Sequence, residues 1–559
     1  MNMNVSEIKT LRDLLTYGTL THAQRPMNCF VDEQPVSYSR FGERVEELQR
    51  KFEALNLCFG DKVAIYTHNT PNYAVVYFAL AARGIVTVPL LPDFSTLEIE
   101  NILNHSESKA IFVSERLRSK LDGLNLPFIK SRISMDDFSA FEHLDEAKND
   151  FADDNRLPEP DDLASIVYTS GTTGKSKGVM LTHGNLVWQI KMVHEIQPVQ
   201  AEDTFISILP LPHTYEGSLG FLLPFYAGAS VYYLEKPPTA AVLLPAMRKI
   251  RPTYMLSVPL IIEKIFRGNI LPTIKSKFIT RNLYKIALGR KFLHRAAAKK
   301  LYKLLGGRLV FFGIGGAKLD PTVERFLYEG KFPYAIGYGL TETAPLLSAA
   351  VNRNVKPESA GFRLKDVEML VHARDTETGI GELWVRTPCL MKGYYREPEL
   401  TAAVMTPEGW FKTGDLISVN PSGRIYIKGR LKNVILGSSG ENIYPEEIES
   451  VINNFKFVQE SLVVEQKGKL VAMVRFNREE LEKQYNRIKE EWLQNMENKY
   501  REFEEKCSEV EQKIEELKIE LKEYVNARVN RFSQISAVVA LSSDFEKTST
   551  MKIKRYLYS

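Results

Sequence analysis

Cysteine is scarce in this chain, and its four copies, Cys29, Cys58, Cys389 and Cys507, show neither Cys-x-x-Cys nor Cys/His spacing. That excludes a disulfide framework and a structural zinc site as organising devices, and it suits a reducing, cytoplasmic setting. A charge excess of one sign is also lacking, since 73 Lys and Arg stand against 69 Asp and Glu for a net +4. A protein organised around nucleic acid carries a larger basic excess, so no nucleic-acid partner is expected. The opening MNMNVSEIKTLRDLL has no basic stretch followed by an apolar one, so no secretory leader is expected and the mature chain is read as starting near Met1. Long apolar runs are missing too. The longest uncharged one, Gly217 to Leu234, is borderline for a bilayer span and holds Gly220, Pro224 and Gly228, which suits a buried helix leading into a strand. There are no internal repeats or low-complexity tracts.

What is present is enough apolar material for several cores: 559 residues, 44% of them hydrophobic, predict two or more packed domains. Helical patterns alternate with β-branched runs (KVAIY, IVTVPL, AIFVS, ASIVYTS, SVYYL) from Ser37 to about Leu234, the pattern of a parallel sheet with crossover helices. The fold class is therefore α/β, with a large N-terminal domain over 1–430. Shorter strands such as GELWVR and GRIYIKG, set between Gly, Pro and Asp turns, predict a β-rich subdomain at about 350–430. A small α+β domain is expected over 431–559, carrying a helical insert at about 478–530. In that insert apolar residues recur every three or four positions from Leu481 through Trp492, Cys507, Ile514, Leu517 and Leu521 to Val525. The stripe breaks a strict heptad between Ile488 and Tyr500, so it predicts packing against a neighbour rather than a long supercoil. A solvated helix, a docking surface and a homodimer contact all remain open.

The densest chemical signal is Ile166-Val-Tyr-Thr-Ser-Gly-Thr-Thr-Gly-Lys-Ser-Lys-Gly-Val-Met180, an apolar strand running into a loop of glycines, hydroxyls and lysines. Gly171 and Gly174 let backbone N–H groups face an anion, Ser170, Thr172 and Thr173 add hydroxyl donors, and Lys175 and Lys177 add positive charge. A P-loop of the Walker type would need glycine where Thr169 stands, so that nucleotide-binding pattern fails.

This loop resembles that of the adenylate-forming superfamily of acyl-CoA synthetases, firefly luciferases and nonribosomal adenylation domains. LPLPHTYE at 209–216, GYGLTET at 337–343, GELWVRTPCLMKGYY at 381–395, GWFKTGDL at 409–416, GRIYIKGRLKNVI at 423–435 and KTSTMKIKR at 547–555 resemble its further motifs, in its order. The resemblance implies ATP binding by Thr169, Ser170, Gly171, Thr172, Thr173, Gly174, Lys175, Tyr338, Gly339, Thr341, Asp415, Arg430 and Lys552. Within that set Tyr338 would face adenine, Thr341 the α-phosphate, and Asp415 with Arg430 the ribose hydroxyls. Glu342 and Thr172 would hold Mg2+, and His213 would position the substrate carboxylate rather than act as a general base. Lys552 would stabilise charge during adenylation, although Ser549 and Met551 depart from the Pro and Gly usual there, and Lys554 is the other candidate. Lys432 would be the hinge about which the small domain turns, bringing Gly437, Ser438, Ser439 and Gly440 onto the path of coenzyme A.

Within that family, GWFKTGDLISVNPSGRIYIKGRLKNVILGSSGENIYPEEIE and ARVNRFSQISAVVAL most resemble the long-chain fatty acyl-CoA synthetases. The implied reaction is ATP-dependent conversion of a fatty acid to acyl-AMP, then transfer to coenzyme A. A carrier-protein acceptor, or a catalytically silent scaffold, are the alternatives. Segment 262–308 holds 13 Lys or Arg against the single acid Glu263, interleaved with Ile, Leu, Phe and Tyr. Such a stretch suits the anionic inner face of a membrane, a solvated basic face, or an acidic carrier protein.

Overall fold

The computed structural model describes residues 4–143, 156–169, 176–436, 442–466, 468–478, 481–482, 502–548 and 553–558. The β-branched runs of the first half form strands as expected, but they separate into two sheets. Lys62–Tyr66, Val86–Leu90, Ala110–Val113 and Leu163–Thr169 lie in an eight-stranded sheet, whereas Ser230–Tyr233 joins a nine-stranded one. Both have parallel centres and antiparallel margins.

Strand alternation explains how the layers stack. Val63 and Ile65 point into a core shared with Phe205, Val231 and Tyr233 of the larger sheet, while Ala64 and Tyr66 point the other way, toward Ile99, Ile102 and Leu103 of the helix Thr96–Ser106. Helices fill the space between the sheets. One of them, Pro71–Ala81, is buried on every face except Asn72, and it is started by the Thr70 hydroxyl, which accepts from the Asn72 N–H, with Pro71 in the first turn. Phe78 from this helix meets Phe225 at 4.5 Å between ring centroids and Phe221 at 5.4 Å. Each such buried ring contributes about 1.5–3 kcal/mol. Phe221 and Phe225 belong to the uncharged run singled out above, which is a buried helix (Gly217–Leu222, Leu223–Ala227) entering the strand Ser230–Tyr233. Among the described residues no helix is long and apolar enough to cross a membrane.

The β-rich part is a four-stranded antiparallel sheet of Glu368–His372, Gly381–Arg386, Phe411–Val419 and Ile425–Arg430. Before it, Leu346–Ala350 pairs antiparallel with Tyr334–Gly339 and Phe362–Arg363 pairs antiparallel with Leu346–Ala350, so both extend the nine-stranded sheet.

Beyond it, the hairpin Val458–Gln466 with Lys469–Phe476 pairs with Ala537–Ala540 in a three-stranded sheet. One face of this sheet packs on the helix Pro445–Ile452 and on the described part of the helical insert, Glu502–Asn526. Ile514, Leu517, Leu521 and Val525, all on the apolar stripe, are 0–2% exposed within that core. This part of the stripe is thus covered by its own domain. The stripe from Tyr485 to Tyr500 lies outside the described residues.

Candidate active site

The phosphate-type loop sits at the end of an antiparallel pair. Thr169 is the register partner of Lys177, and Tyr168 of Gly178, so the chain reverses between them. Ser170, Gly171, Thr172, Thr173, Gly174 and Lys175 themselves lie outside the described residues, as do Gly437, Ser438, Ser439, Gly440 and Lys552. The base of the reversal is well tied. His105 Nδ1 is 2.7 Å from the Tyr168 hydroxyl, and Gly393–Tyr394 pairs antiparallel with Met180 and Val179 on the outer edge. Lys177 Nζ then lies 5.0 Å from the Tyr394 ring centroid.

Tyr394 links this edge to GYGLTET. Its hydroxyl donates to Glu342 Oε1 at 2.9 Å, while the Met391 N–H donates to the Glu342 carbonyl at 2.8 Å. The motif itself is a strand end, Tyr334–Gly339, followed by a turn at Thr341–Thr343. A glycine is needed at 339, since a Cβ there would lie 1.7 Å from the Pro345 carbonyl oxygen. The Leu340 N–H donates to that same oxygen at 2.9 Å and closes the loop, leaving Thr341 at its half-exposed tip.

A second cluster joins the same motif to the four-stranded sheet. Asp415 and Arg430 are register partners on neighbouring strands, and Arg430 Nε is 2.7 Å from Asp415 Oδ1. The Tyr338 hydroxyl donates to Asp415 Oδ2 at 2.7 Å. Burial, with the Asp415 charge beside it, holds that hydroxyl well above its ordinary pKa, so Tyr338 remains a donor at all working pH. Asp415 lies within the strand Phe411–Val419 at a register shift that relies on Gly414, whose φ of +69° strains any other residue, and the Gly414 N–H donates to Glu382 Oε1. Tyr338, Asp415 and Arg430, named separately by motif, are thus one bonded unit.

His213 stands at the start of the turn Thr214–Glu216, its Nδ1 accepting from the Tyr215 N–H at 3.3 Å. Its segment reaches GYGLTET through Ser218, whose hydroxyl donates to the Ala344 carbonyl at 3.1 Å. Beneath it is a residue without an assigned role: Glu216 is 1% exposed, accepts from the Ser207 hydroxyl at 2.6 Å, and burial lifts its carboxyl pKa to about 8. Lys432 occupies an exposed position in the short turn Leu431–Asn433, directly after Arg430 and before the small domain.

Among the described residues no three His, Cys, Asp or Glu side chains converge to form a metal cage. The donor set at Glu342, a carboxylate with one oxygen on Tyr394, fits a Mg2+ held by one protein carboxylate together with substrate phosphates.

Residues 20–395, well over half of the chain, match the family described as AMP-binding enzyme. The chain belongs to that family. Two relatives of this AMP-binding enzyme come from Arabidopsis thaliana. "Long chain acyl-CoA synthetase 7, peroxisomal" is 30% identical over 511 aligned residues, covering 82% of this chain and 71% of the relative. "Long-chain-fatty-acid--[acyl-carrier-protein] ligase AEE15, chloroplastic" is 28% identical over 537, covering 80% and 73%. The fold is shared with ATP-bound MatB from Rhodopseudomonas palustris, at a TM-score of 0.75, 22% identity and coverage of 100% of this chain and 98% of that one. It is also shared with O-succinylbenzoate coenzyme A synthetase (MenE) from Bacillus subtilis in complex with ATP and magnesium ion, at a TM-score of 0.73, 21% identity and coverage of 97% and 98%.

Two parts of the site escaped sequence reasoning. Tyr394 lies in GELWVRTPCLMKGYY, and its bond to Glu342 spans 52 positions. His105 lay in no motif at all. A tyrosine in a Gly-Tyr-Tyr string reads like any strand aromatic, and only the pairing of Gly393–Tyr394 with Val179 and Met180 gives it a partner.

Proposed function

We propose that this AMP-binding enzyme activates a long-chain fatty acid with ATP and passes the acyl group to coenzyme A. The observation that carries the reading is the convergence of two bonded clusters, Tyr338–Asp415–Arg430 and Tyr394–Glu342, beside the phosphate hairpin. The names of both relatives support a long-chain acid, and that of the first supports coenzyme A as the acceptor.

In the first step a carboxylate oxygen of the acid attacks the α-phosphorus of ATP, the bond to the β-phosphate oxygen breaks, and pyrophosphate leaves. The acid is ionised near neutral pH and needs no base, so the task is to align two anions and neutralise their charge. Tyr338 offers its ring face to adenine. Asp415, bonded to Tyr338 and Arg430, would accept ribose hydroxyls, since a carboxylate has about four lone-pair sites. Thr341 and the loop from Thr169 to Lys175 would surround the phosphates, Glu342 with Thr172 would hold Mg2+, and His213 would set the carboxylate. A bound Mg2+ would neutralise phosphate charge. Lys552 adds a cation where charge grows on the α-phosphate.

In the second step the thiol of coenzyme A attacks the acyl carbon, its proton goes to solvent, and AMP leaves. Rotation about Lys432 exchanges Lys552 for the stretch Gly437–Gly440, which lines the thiol's path. The division into a large domain ending near Arg430 and a small one after it follows from that hinge. A lipid substrate puts the enzyme at the cytoplasmic face of a membrane, with segment 262–308 as its contact.

Pyrophosphate release is to be measured with acids of increasing chain length, with and without coenzyme A, beside Lys552→Ala. Turnover with long acids that is lost in the variant supports the reading. Pyrophosphate without thioester, restored by an acyl carrier protein, moves the acceptor to the chemistry named for the second relative. No ATP cleavage with any acid overturns the proposal.

A further inference from the structure

The four most exposed large apolar side chains among the described residues are Leu288 (79%), Ile279 (78%), Phe278 (70%) and Phe292 (67%), and all fall within 15 positions of one another, with Ile286 between them at 60%. Elsewhere among the described residues no comparable run of strongly exposed large apolar side chains occurs, the nearest case being the adjacent pair Tyr556 and Leu557 at 49% and 48%. Here they form one projection, made by the helix Phe278–Lys285 and the first turns of Ala287–Leu304.

The projection is rigidly held. On its inner side Ala287–Leu304 buries Gly289, His294, Ala298 and Leu301. Arg290 binds Glu329 with two bonds of 2.8 and 3.1 Å, and His294 lies 2.7 Å from the same carboxylate. The Tyr284 hydroxyl is 3.2 Å from His294 Nε2 and ties the shorter helix to the longer. With the inner face settled against the domain, the apolar tip is left exposed, facing outward.

Cations surround the tip. Lys275, Lys277, Arg281, Lys285, Lys291, Arg295, Lys299, Lys300 and Lys303 are all exposed. Of the 13 cations in 262–308, Arg267 and Arg290 are the two paired to carboxylates among the described residues. Setting aside this segment's 13 cations and one acid leaves 60 Lys and Arg against 68 Asp and Glu, so the rest of the chain is net negative. Positive charge is therefore concentrated where the apolar side chains protrude. Arg281 lies 5.7 Å from the Phe278 ring centroid, a pairing in which the guanidinium can meet a phosphate while the ring enters hydrocarbon.

We propose that residues 275–303 are a membrane-insertion surface, on which Phe278, Ile279, Ile286, Leu288 and Phe292 enter the headgroup boundary of an anionic bilayer while the surrounding lysines and arginines bind lipid phosphates. Large exposed apolar side chains favour this partner over nucleic acid, whose backbone would ask only for the cations. The geometry stands by itself, and only the purpose, collecting a lipid substrate, rests on the fatty-acid reading.

The full chain is to be floated with vesicles of phosphatidylcholine alone and of phosphatidylcholine with phosphatidylserine, without ATP or fatty acid. Binding to the anionic vesicles is expected, reduced about tenfold or more by Phe278→Ser, Ile279→Ser, Leu288→Ser and Phe292→Ser together, and separately by Lys291→Glu with Arg295→Glu. An unchanged unfolding temperature in both variants shows that the fold is intact, as expected at exposed positions. Anionic binding that survives the serine variant, no binding to either vesicle, or capture of an acidic carrier protein in place of vesicles would each overturn insertion. Since no catalytic step is read, a failure here is distinct from a failure of the ligase assay.

Discussion

Tyr394 shows what a single hydroxyl can decide. Its bond to Glu342 fixes the carboxylate proposed to hold Mg2+. Tyr394→Phe keeps the ring under Lys177 and removes only that bond, so adenylate formation should slow by roughly tenfold, the worth of a hydrogen bond to a charged group. The apparent affinity for Mg2+ should weaken with it, read by titrating the metal in an ATP–pyrophosphate exchange assay. Unchanged Mg2+ dependence would remove Tyr394 from the site. Glu216 makes a different prediction. Burial lifts its folded-state pKa to about 8 from an ordinary 4.5, so the folded chain keeps a proton that the unfolded chain releases over that window. Stability from this group is complete below about pH 4.5 and is lost as pH rises through about 8, at roughly 1.4 kcal/mol per unit. Glu216→Gln, neutral throughout, should therefore gain on the parent protein in thermal unfolding as pH rises across the window. Parallel curves would show that Glu216 is ionised in the fold. Of these residues the sequence made Tyr338, Asp415 and Arg430 legible because each sits in a recognisable motif. Glu216 and Tyr394 sat in quoted motifs too, but burial and a partner far along the chain are not written in spacing.

The same limit operates on whole elements. Strand positions were readable, since β-branched runs bounded by turn residues have few other uses. Membership of a sheet was not readable: KVAIY and SVYYL look alike, yet they lie in different sheets because crossover connections place no constraint visible in either run. The helix Glu502–Asn526 is the converse. Its three-and-four periodicity announced a buried face, but a stripe cannot say whether its cover is solvent, a second copy or its own domain. The cover is Ile448, Ile452, Phe455, Val463 and Ala472 of the small domain. Leu517, fully buried in that contact, should cost about 2–5 kcal/mol as Leu517→Ala. Thermal unfolding would show this as a lowered transition for the small domain, with the large domain's transition in place. A change under about 0.5 kcal/mol, the range of ordinary surface substitutions, would mean that the helix stands away from the domain in solution.

At the scale of the molecule, the described residues of the small domain touch the large one through a few polar contacts. The Thr322 hydroxyl donates to Asn454 Oδ1 at 2.6 Å, Lys428 lies 3.4 Å from Glu447, and Arg267 bonds the Asn453 carbonyl while paired with Asp320. An interface held by a handful of polar groups can be left and remade, which a two-step ligase with one mobile domain requires. If the small domain alternates between two positions about Lys432, these contacts belong to only one of them. Weakening them must then lower the population of that position and raise the other. Thr322→Val removes the donor with little change of shape, and a hydrogen bond worth about 0.5–1.5 kcal/mol shifts such an equilibrium by roughly two- to tenfold. The two half-reactions should therefore move in opposite directions, adenylation followed by ATP–pyrophosphate exchange and thioester formation followed from preformed acyl-adenylate with coenzyme A. Whichever half-reaction falls identifies the step served by the arrangement seen here. An equal loss of both would mean that Thr322 supports the fold alone, and that the small domain does not exchange this contact during turnover.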